Sequence, residues 1–334
     1  MRFRNEDHAR ASKIIRRMFV RILLCCCCLL FTCGLGLAQT GGNEIQLHVK
    51  PEPLSSIRVH SDLVQIPVTV LDHDDQSVVG LEKEQFKLFE DRVEQVISHF
   101  AMEEAPVTIG FVLDASASMR NKLPQTREAV VKFLNAAGAG DEFFLVQFND
   151  QVELAADLTT SMEEIKQQLM FIRPTGRTAL LDAIHFSVRN MRKASNARRA
   201  LIIISDGGDN CSRYTVSELK NLVREADVQI YALGIFDSSE GRSLAPEELA
   251  GPALLRAVAK QSGGHLFEIE NINQLPDVAA KIGEALRTQY VLGYAPRAVP
   301  RDGKYHRVEV KLAQAKGSRK LQASWRRGYY APVE

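Results

Sequence analysis

Apolar positions along this chain fall into two regimes. Between residues 63 and 103 they alternate with polar ones, as where Val64, Ile66, Val68 and Val70 interleave with Gln65, Pro67 and Thr69. That period of two predicts a strand with one buried face. Pro67 places it at a sheet edge or a bulge, because proline cannot donate to a ladder. A short turn or helix is expected over Leu81 to Phe86. Phe86 to Phe89 and Val93 to Phe100 then predict the two strands of one hairpin around Asp91-Arg92.

From Val107 the apolar runs become continuous, and each is followed by a helical period. Ile109 to Leu113, Glu142 to Phe148, Arg199 to Ile204 and Val228 to Ile235 read as strands buried on both faces. Val152 to Leu158 reads as an edge strand and His265 to Ile269 as a short one. Between them, apolar residues recur at three- and four-residue spacing. They do so after Ser118, from Ser161 (a capping box with Glu164) to about Ile172, from Ala179, from Thr215 to about Glu225, over Leu249 to Gln261, and over Leu275 to Arg287. Gly263-Gly264 ends the fifth of these helices. Such alternation predicts an α/β fold, a doubly wound and mostly parallel sheet with helices on both faces.

The last segment, 289–334, returns to strand character at Gln289 to Tyr294, Tyr305 to Leu312 and Lys320 to Trp325, with a turn at Arg301-Asp-Gly303. Its strands are expected to pair with the 63–103 region as one small accessory β module. The predicted organisation is therefore a leader (1–38), a polar linker (39–62) with one strand at Ile45 to Val49, an N-terminal β region (63–103), an α/β domain (104–288) and a β tail (289–334).

Composition changes this picture chiefly at the N-terminus. Arg16, Arg17 and Arg21 precede an apolar stretch, Ile22 to Leu37, and Gly36-Leu37-Ala38 offers small residues for cleavage. This is the layout of a secretory signal, with translation from Met18 giving a more compact one. The stretch is short for a membrane span, so membrane contact is expected only through this segment if it stays uncleaved. The expected destination is the periplasm, the cell surface or the medium. The whole chain carries a net charge of +1. Without the seven basic and two acidic residues of the leader, 35 basic and 39 acidic residues remain, a net of −4. That balance gives no reason to expect nucleic acid. Five of the six cysteines lie in the leader, leaving Cys211 alone, so the exported chain has no internal disulfide and depends on its core. The tail is basic, with ten Lys and Arg from Arg297 to Arg327. Solvated strand faces explain such a run most simply, and an anionic partner is the sharper reading.

The chemistry concentrates at strand ends. Ile109 to Leu113 stops abruptly at Asp114-Ala-Ser116-Ala-Ser118, so one carboxylate and two hydroxyls sit on a strand-to-helix turn. Ligands of open α/β sheets bind at that edge. Taken alone, Asp and Ser before a helix are also ordinary caps and turns. Two further loops fall at the same edge. One holds Thr178 after Gly176, and the other holds Asp206 after the Leu201 to Ile204 run. Asp114, Ser116, Ser118, Thr178 and Asp206 are all hard oxygen donors, the set that suits magnesium or manganese ahead of calcium. Glycines 176, 207 and 208 permit tight loop backbone. If Asp114 and Ser116 merely precede a helix, replacing either should cost about one helix cap, on the order of 1 kcal/mol. Asp72-His-Asp-Asp75 reads as an acidic turn, since no later carboxylate completes a calcium loop.

The ordered set Asp-x-Ser-x-Ser, Gly-x-Thr and Ser-Asp-Gly resembles the metal-ion-dependent adhesion site of von Willebrand factor type A domains. With its β flank, Tyr290-Val-Leu-Gly-Tyr294 and Arg327-Gly-Tyr-Tyr330, the chain resembles exported members of that family common in acidobacteria, over about residues 60–332. The resemblance implies that Ser116 and Ser118 bind the metal directly and that Thr178 does so directly or through water. It implies that Asp114 and Asp206 act through water and by holding the hydroxyls. It further implies a partner protein that offers an Asp or Glu to the ion, framed by the loops around Ser118, Gly176 and Asp206.

Two other classes compete with a binding module. A magnesium-dependent hydrolase acting through Asp114 would call for a second carboxylate where Ser116 stands. No phosphate-binding Gly-x-x-x-x-Gly-Lys loop, Gly-x-Ser-x-Gly elbow or His-x-x-x-His pair is present, so no catalytic residue is assigned and no enzyme activity is expected. His185 reads as a packed or surface residue. A scaffold domain with a non-essential metal site is the second alternative.

Overall fold

A computed structural model of the chain describes residues 63–236, 246–296, 302–313 and 321–333, without the side chains of 247 and 248. The predicted leader, the linker and its strand lie outside these residues. Within them no helix is long and apolar enough to cross a membrane.

Four strands come first: β1 (Val64–Leu71), β2 (Phe86–Glu90), β3 (Val93–Gln95) and β4 (His99–Glu104). The α/β region follows with β5 (Val107–Asp114), α1 (Leu123–Asn135), β6 (Glu142–Phe148), β7 (Val152–Thr159), α2 (Met162–Phe171), α3 (Leu180–Asn190), β8 (Arg198–Ser205), α4 (Val216–Glu225), β9 (Gln229–Ile235), α5 (Pro246–Ser262), β10 (Leu266–Ile269) and α6 (Leu275–Arg287). The chain closes with β11 (Thr288–Tyr294), β12 (Tyr305–Leu312), β13 (Gln322–Trp325) and β14 (Gly328–Tyr330).

The six-stranded sheet runs β10-β9-β8-β5-β6-β7, parallel except for β7 at one edge. Its central strand explains the unbroken apolar run. Ile109, Phe111 and Leu113 enter one core together with residues of α1, α2 and α6, whereas Val112 enters another with α3, α4 and α5. Both faces of β5 are covered, so every residue of the strand is buried. Gly110 is required by packing: a Cβ there would lie 2.2 Å from the Phe144 ring. Ser161 caps α2 by accepting from the Glu164 amide, and Thr215 caps α4 in a reciprocal box with Glu218.

The flanks do pair with each other, as two four-stranded sheets, β13-β1-β11-β4 and β14-β12-β2-β3. A shared core holds them together, with Ile66, Leu88, Leu292 and Val308 among its fully buried members. Two expectations change. The predicted hairpin exists only as β2 with β3; the chain then crosses to the other sheet, where β4 pairs with β11. Pro67 is not on an edge strand, because β1 lies between β13 and β11. Its proline is tolerated because β13 pairs only with Val68–Leu71 and stops short of it. The strand β14 had no counterpart in the sequence reading. The described residues form one compact unit.

Candidate metal centre

The site is assembled where β5 and β8 end side by side. Their register pairs Leu113 with Ile204, so Asp114 and Ser205 are the next residues on neighbouring strands. The Ser205 hydroxyl donates to Asp114 Oδ2 at 2.6 Å. The other carboxylate oxygen, Oδ1, accepts the Ser116 amide at 2.9 Å, closing an Asx turn that starts the loop. Ser116 and Ser118 then place their Oγ atoms 3.0 Å apart. This explains why the turn is built on Asp-x-Ser-x-Ser: the aspartate fixes the backbone, and the two serines face the same point.

Backbone hydrogen bonds tie the other loops to this one. The Thr175 amide donates to Ala115 O at 2.8 Å, and the Ala117 amide donates to Gly176 O at 3.1 Å. Gly176 has φ of +76°, and a Cβ there would meet the Asp150 carboxylate at 2.1 Å. Thr178 is joined to the loop after β8: its amide donates to Asn210 Oδ1 and its carbonyl accepts from the Asn210 amide, both at 3.0 Å. Gly207, at φ +85°, presses against Gly251 of α5, where a Cβ would lie 2.8 Å from backbone. The structure therefore brings together the loops of all five predicted residues. Asp114, Ser116, Thr178 and Asp206 are buried, and Ser118 lies on the 3-10 turn Ala117–Met119 beside them.

Electrostatics marks the site further. Burial pushes the Asp114 carboxyl up from the ordinary carboxylate range, and the nearby Asp206 carboxylate adds to that, against hydrogen bonds from Ser116 and Ser205. Asp206 in turn receives the Lys122 ammonium at 3.2 Å, in an ion pair whose two side chains are 10% and 7% exposed. Two carboxylates and one ammonium leave this pocket with one negative charge in excess. A divalent cation suits that excess and the all-oxygen donor set.

Three partners escaped the sequence reading. Ser205 and Asn210 stand inside the Ser-Asp-Gly-Gly-Asp-Asn stretch, so their proximity was available from the motif. Lys122 carried a subtler signal: a cation just before a helix opposes the helix dipole and calls for a local anion. Other candidates fall away from this centre. Asp72, His73 and Asp74 bring their ligand atoms within 4.8 Å of one another, yet Asp72 Oδ1 accepts the amides of Asp74 and Gln76, which makes this an Asx-type turn. His185 stacks on Tyr214 with ring centroids 3.7 Å apart. Cys211 is half-buried, and burial pushes its thiol up, away from the reactive thiolate.

Residues 108–281, just over half of the chain, match the von Willebrand factor type A domain model. The chain belongs to this family. Its type A domain is similar to inter-alpha-trypsin inhibitor heavy chain H4 of Sus scrofa, 32% identical over 144 residues, which are 39% of this chain and 16% of that protein. Heavy chain H4 of Bos taurus is 26% identical over 220 residues, covering 60% of this chain and 23% of the relative. The chain thus spans less than a quarter of the length of these curated relatives. Among solved structures, a von Willebrand factor type A protein from Catenulispora acidiphila aligns over 82% of this chain and 75% of its own, with 14% identity and a TM-score of 0.48. The type A domain here ends its central strands in the loops just described, and beside them lies a polar cleft of about 260 Å³ that includes Asn149, Glu153 and Arg173.

Proposed function

We propose that the chain is an exported, non-catalytic binding protein whose type A domain captures a partner protein through a divalent cation. Ser116, Ser118 and Thr178 would hold the ion, with Asp114 and Asp206 acting through water and by orienting the hydroxyls. Magnesium or manganese fits this hard, sparingly charged donor set. A bound ion would supply an exchangeable coordination position for an Asp or Glu carboxylate of the partner.

The observation that carries this reading is the convergence of three loops on a buried oxygen cluster of net negative charge. The protein's own part is positional. Asp114 holds Ser116 by its amide, Ser205 holds Asp114, and Asn210 holds Thr178. With few carboxylates of its own, the site leaves the balancing charge for the partner to bring. Arg173, in the adjoining cleft, is placed to meet further acidic groups. The curated relatives are named as inhibitor chains rather than enzymes, which supports a non-catalytic role. Export rests on the leader-like segment at residues 16–38, and the β flank and tail support a place among the exported, acidobacterial-type members.

The test is calorimetric titration of the protein with Mg²⁺ and Mn²⁺ beside Ser116→Ala, followed by capture of surface proteins in Mg²⁺ and in EDTA. Saturable binding by wild type, lost in the variant, with metal-dependent capture is expected. Absence of metal binding together with capture indifferent to EDTA would leave only a scaffold.

A further inference from the structure

Two of the ten basic residues of the tail, Arg307 and Arg327, join cations of the type A domain on the side of the molecule away from the metal centre. The helices α4 and α5 run from the metal edge of the sheet toward the opposite edge, where β9 and β10 begin. Near their C-terminal ends they face β12 and the segment joining β13 to β14. Between these elements lies a pocket of about 430 Å³. Lys220 and Arg224 of α4, Lys260 of α5, Arg307 of β12 and Arg327 line it, together with the ring of Tyr305. Among the described residues no carboxylate lines it.

Five cations from four separate parts of the chain meet here, and among the described residues none of them is in an ion pair. Lys220 and Arg224 lie one turn apart on the same face of α4, a spacing at which like charges repel. Arg224 donates to the Asn221 side chain at 3.0 Å and lies over the Tyr305 ring at 5.9 Å. Arg327 stacks on Trp325, 4.0 Å from the ring centroid. Glu309, whose charge is felt by Arg327, is engaged with Lys311 at 3.6 Å. Cations in the last turn of a helix often serve its dipole, and Arg224 and Lys260 have that position. Lys220, Arg307 and Arg327 do not. Stacking instead pre-orders two guanidinium groups, whose planar forks match phosphate oxygens.

The geometry points to a second, metal-independent site in which Lys220, Arg224, Lys260, Arg307 and Arg327 bind a multiply charged phosphate group. The volume suits a phosphorylated small molecule or the headgroup of a phospholipid rather than an extended chain. Binding there leaves the metal centre at the other sheet edge free, so both ligands can be held at once.

Titration of the full chain with pyrophosphate in EDTA tests this, since chelation then leaves no metal to confuse the readout. Saturable one-to-one binding that weakens as salt rises is expected. Lys260→Glu with Arg307→Glu, both exposed positions, should weaken it by about tenfold or more. Lys260→Gln, with a far-ultraviolet spectrum matching wild type, gives the same direction at smaller size if the double variant does not fold. Vesicles containing phosphatidic acid separate the sources. Co-sedimentation displaced by pyrophosphate assigns a lipid headgroup, and pyrophosphate binding without co-sedimentation assigns a soluble phosphate ligand. No saturable binding of either probe, or equal binding by the folded variants, overturns the proposal.

Discussion

Asp114 and Ser116 are two residues apart, and the structure gives them unequal roles. The Ser116 hydroxyl meets Ser118 and the Asp114 carboxylate, and it makes no cap to the turn that follows. Ser116→Ala should therefore cost less than about 1 kcal/mol while removing a metal ligand. Asp114 is fully buried and satisfies both the Ser205 hydroxyl and the Ser116 amide. Asp114→Ala orphans both donors and should cost about 1–3 kcal/mol. Urea unfolding in EDTA checks the difference; equal losses would mean that Asp114 is not the backbone organiser described here. The uniform cost of a helix cap, expected from the sequence, is replaced by this split. Lys122 makes a second test. Its loss would leave Asp206 buried and unpaired beside Asp114, so Lys122→Met should destabilise the metal-free protein by about 3 kcal/mol. Mg²⁺ should restore more stability to the variant than it adds to wild type, in melts with and without EDTA. A variant whose melting is indifferent to Mg²⁺ would contradict the placement of the ion. The five oxygen donors were legible because they stand within a few residues of a recognisable strand end or, at Thr178, two residues after a glycine. Lys122 offered only its place ahead of a helix, because its partner lies 84 residues away in sequence.

At the scale of elements, the buried strands declared themselves because β5, β6, β8 and β9 are covered on two faces and so leave continuous apolar runs. Sheet membership was harder. Nothing local distinguishes a residue run that turns back on β2 from one that crosses to β11, and Val93 to Phe100 contains both. Contacts between distant segments decide it, and one of them titrates. His306 on β12 places Nδ1 2.8 Å from Asp91 Oδ2 and Nε2 3.3 Å from Asp302 Oδ1, with Glu90 at 3.9 Å. Burial disfavours its charged form, but the bonds to Asp302 and Asp91 outweigh that and hold the imidazole above its usual range. A histidine raised in the folded state binds its proton more tightly there than when unfolded. Its stabilisation is complete below the unfolded pKa and is lost as pH rises through the folded one. Hydrogen exchange in β12 and β14, corrected for intrinsic base catalysis, should accelerate across that interval. His306→Gln should abolish the step; a step that persists would assign the effect to another group.

At the scale of the whole molecule, the accessory sheets and the type A domain are joined at two crossings, β4 into β5 and α6 into β11. Arg198 spans both. Its Nη1 donates to Glu103 O at 3.1 Å and to Arg287 O at 2.8 Å, one carbonyl from each crossing. The side chain is 10% exposed, so these are largely desolvated bonds to a charged donor. Because β11 lies between β1 and β4, the tail also closes two strand edges and covers Ile66, Val68 and Phe86. A chain truncated after Arg287 would expose those edges and that apolar face, the combination that drives edge-to-edge association. Arg198→Met tests the coupling without removing any strand. It should leave the two carbonyls unpaired and cost about 1–3 kcal/mol. The loss should appear as faster exchange at β4 and β11 before any at β5 or β8, whose ladders do not depend on Arg198 Nη1. If β5 and β11 lose protection together, the flanks and the α/β domain unfold as one cooperative unit, and Arg198 is a core contact rather than a joint between two.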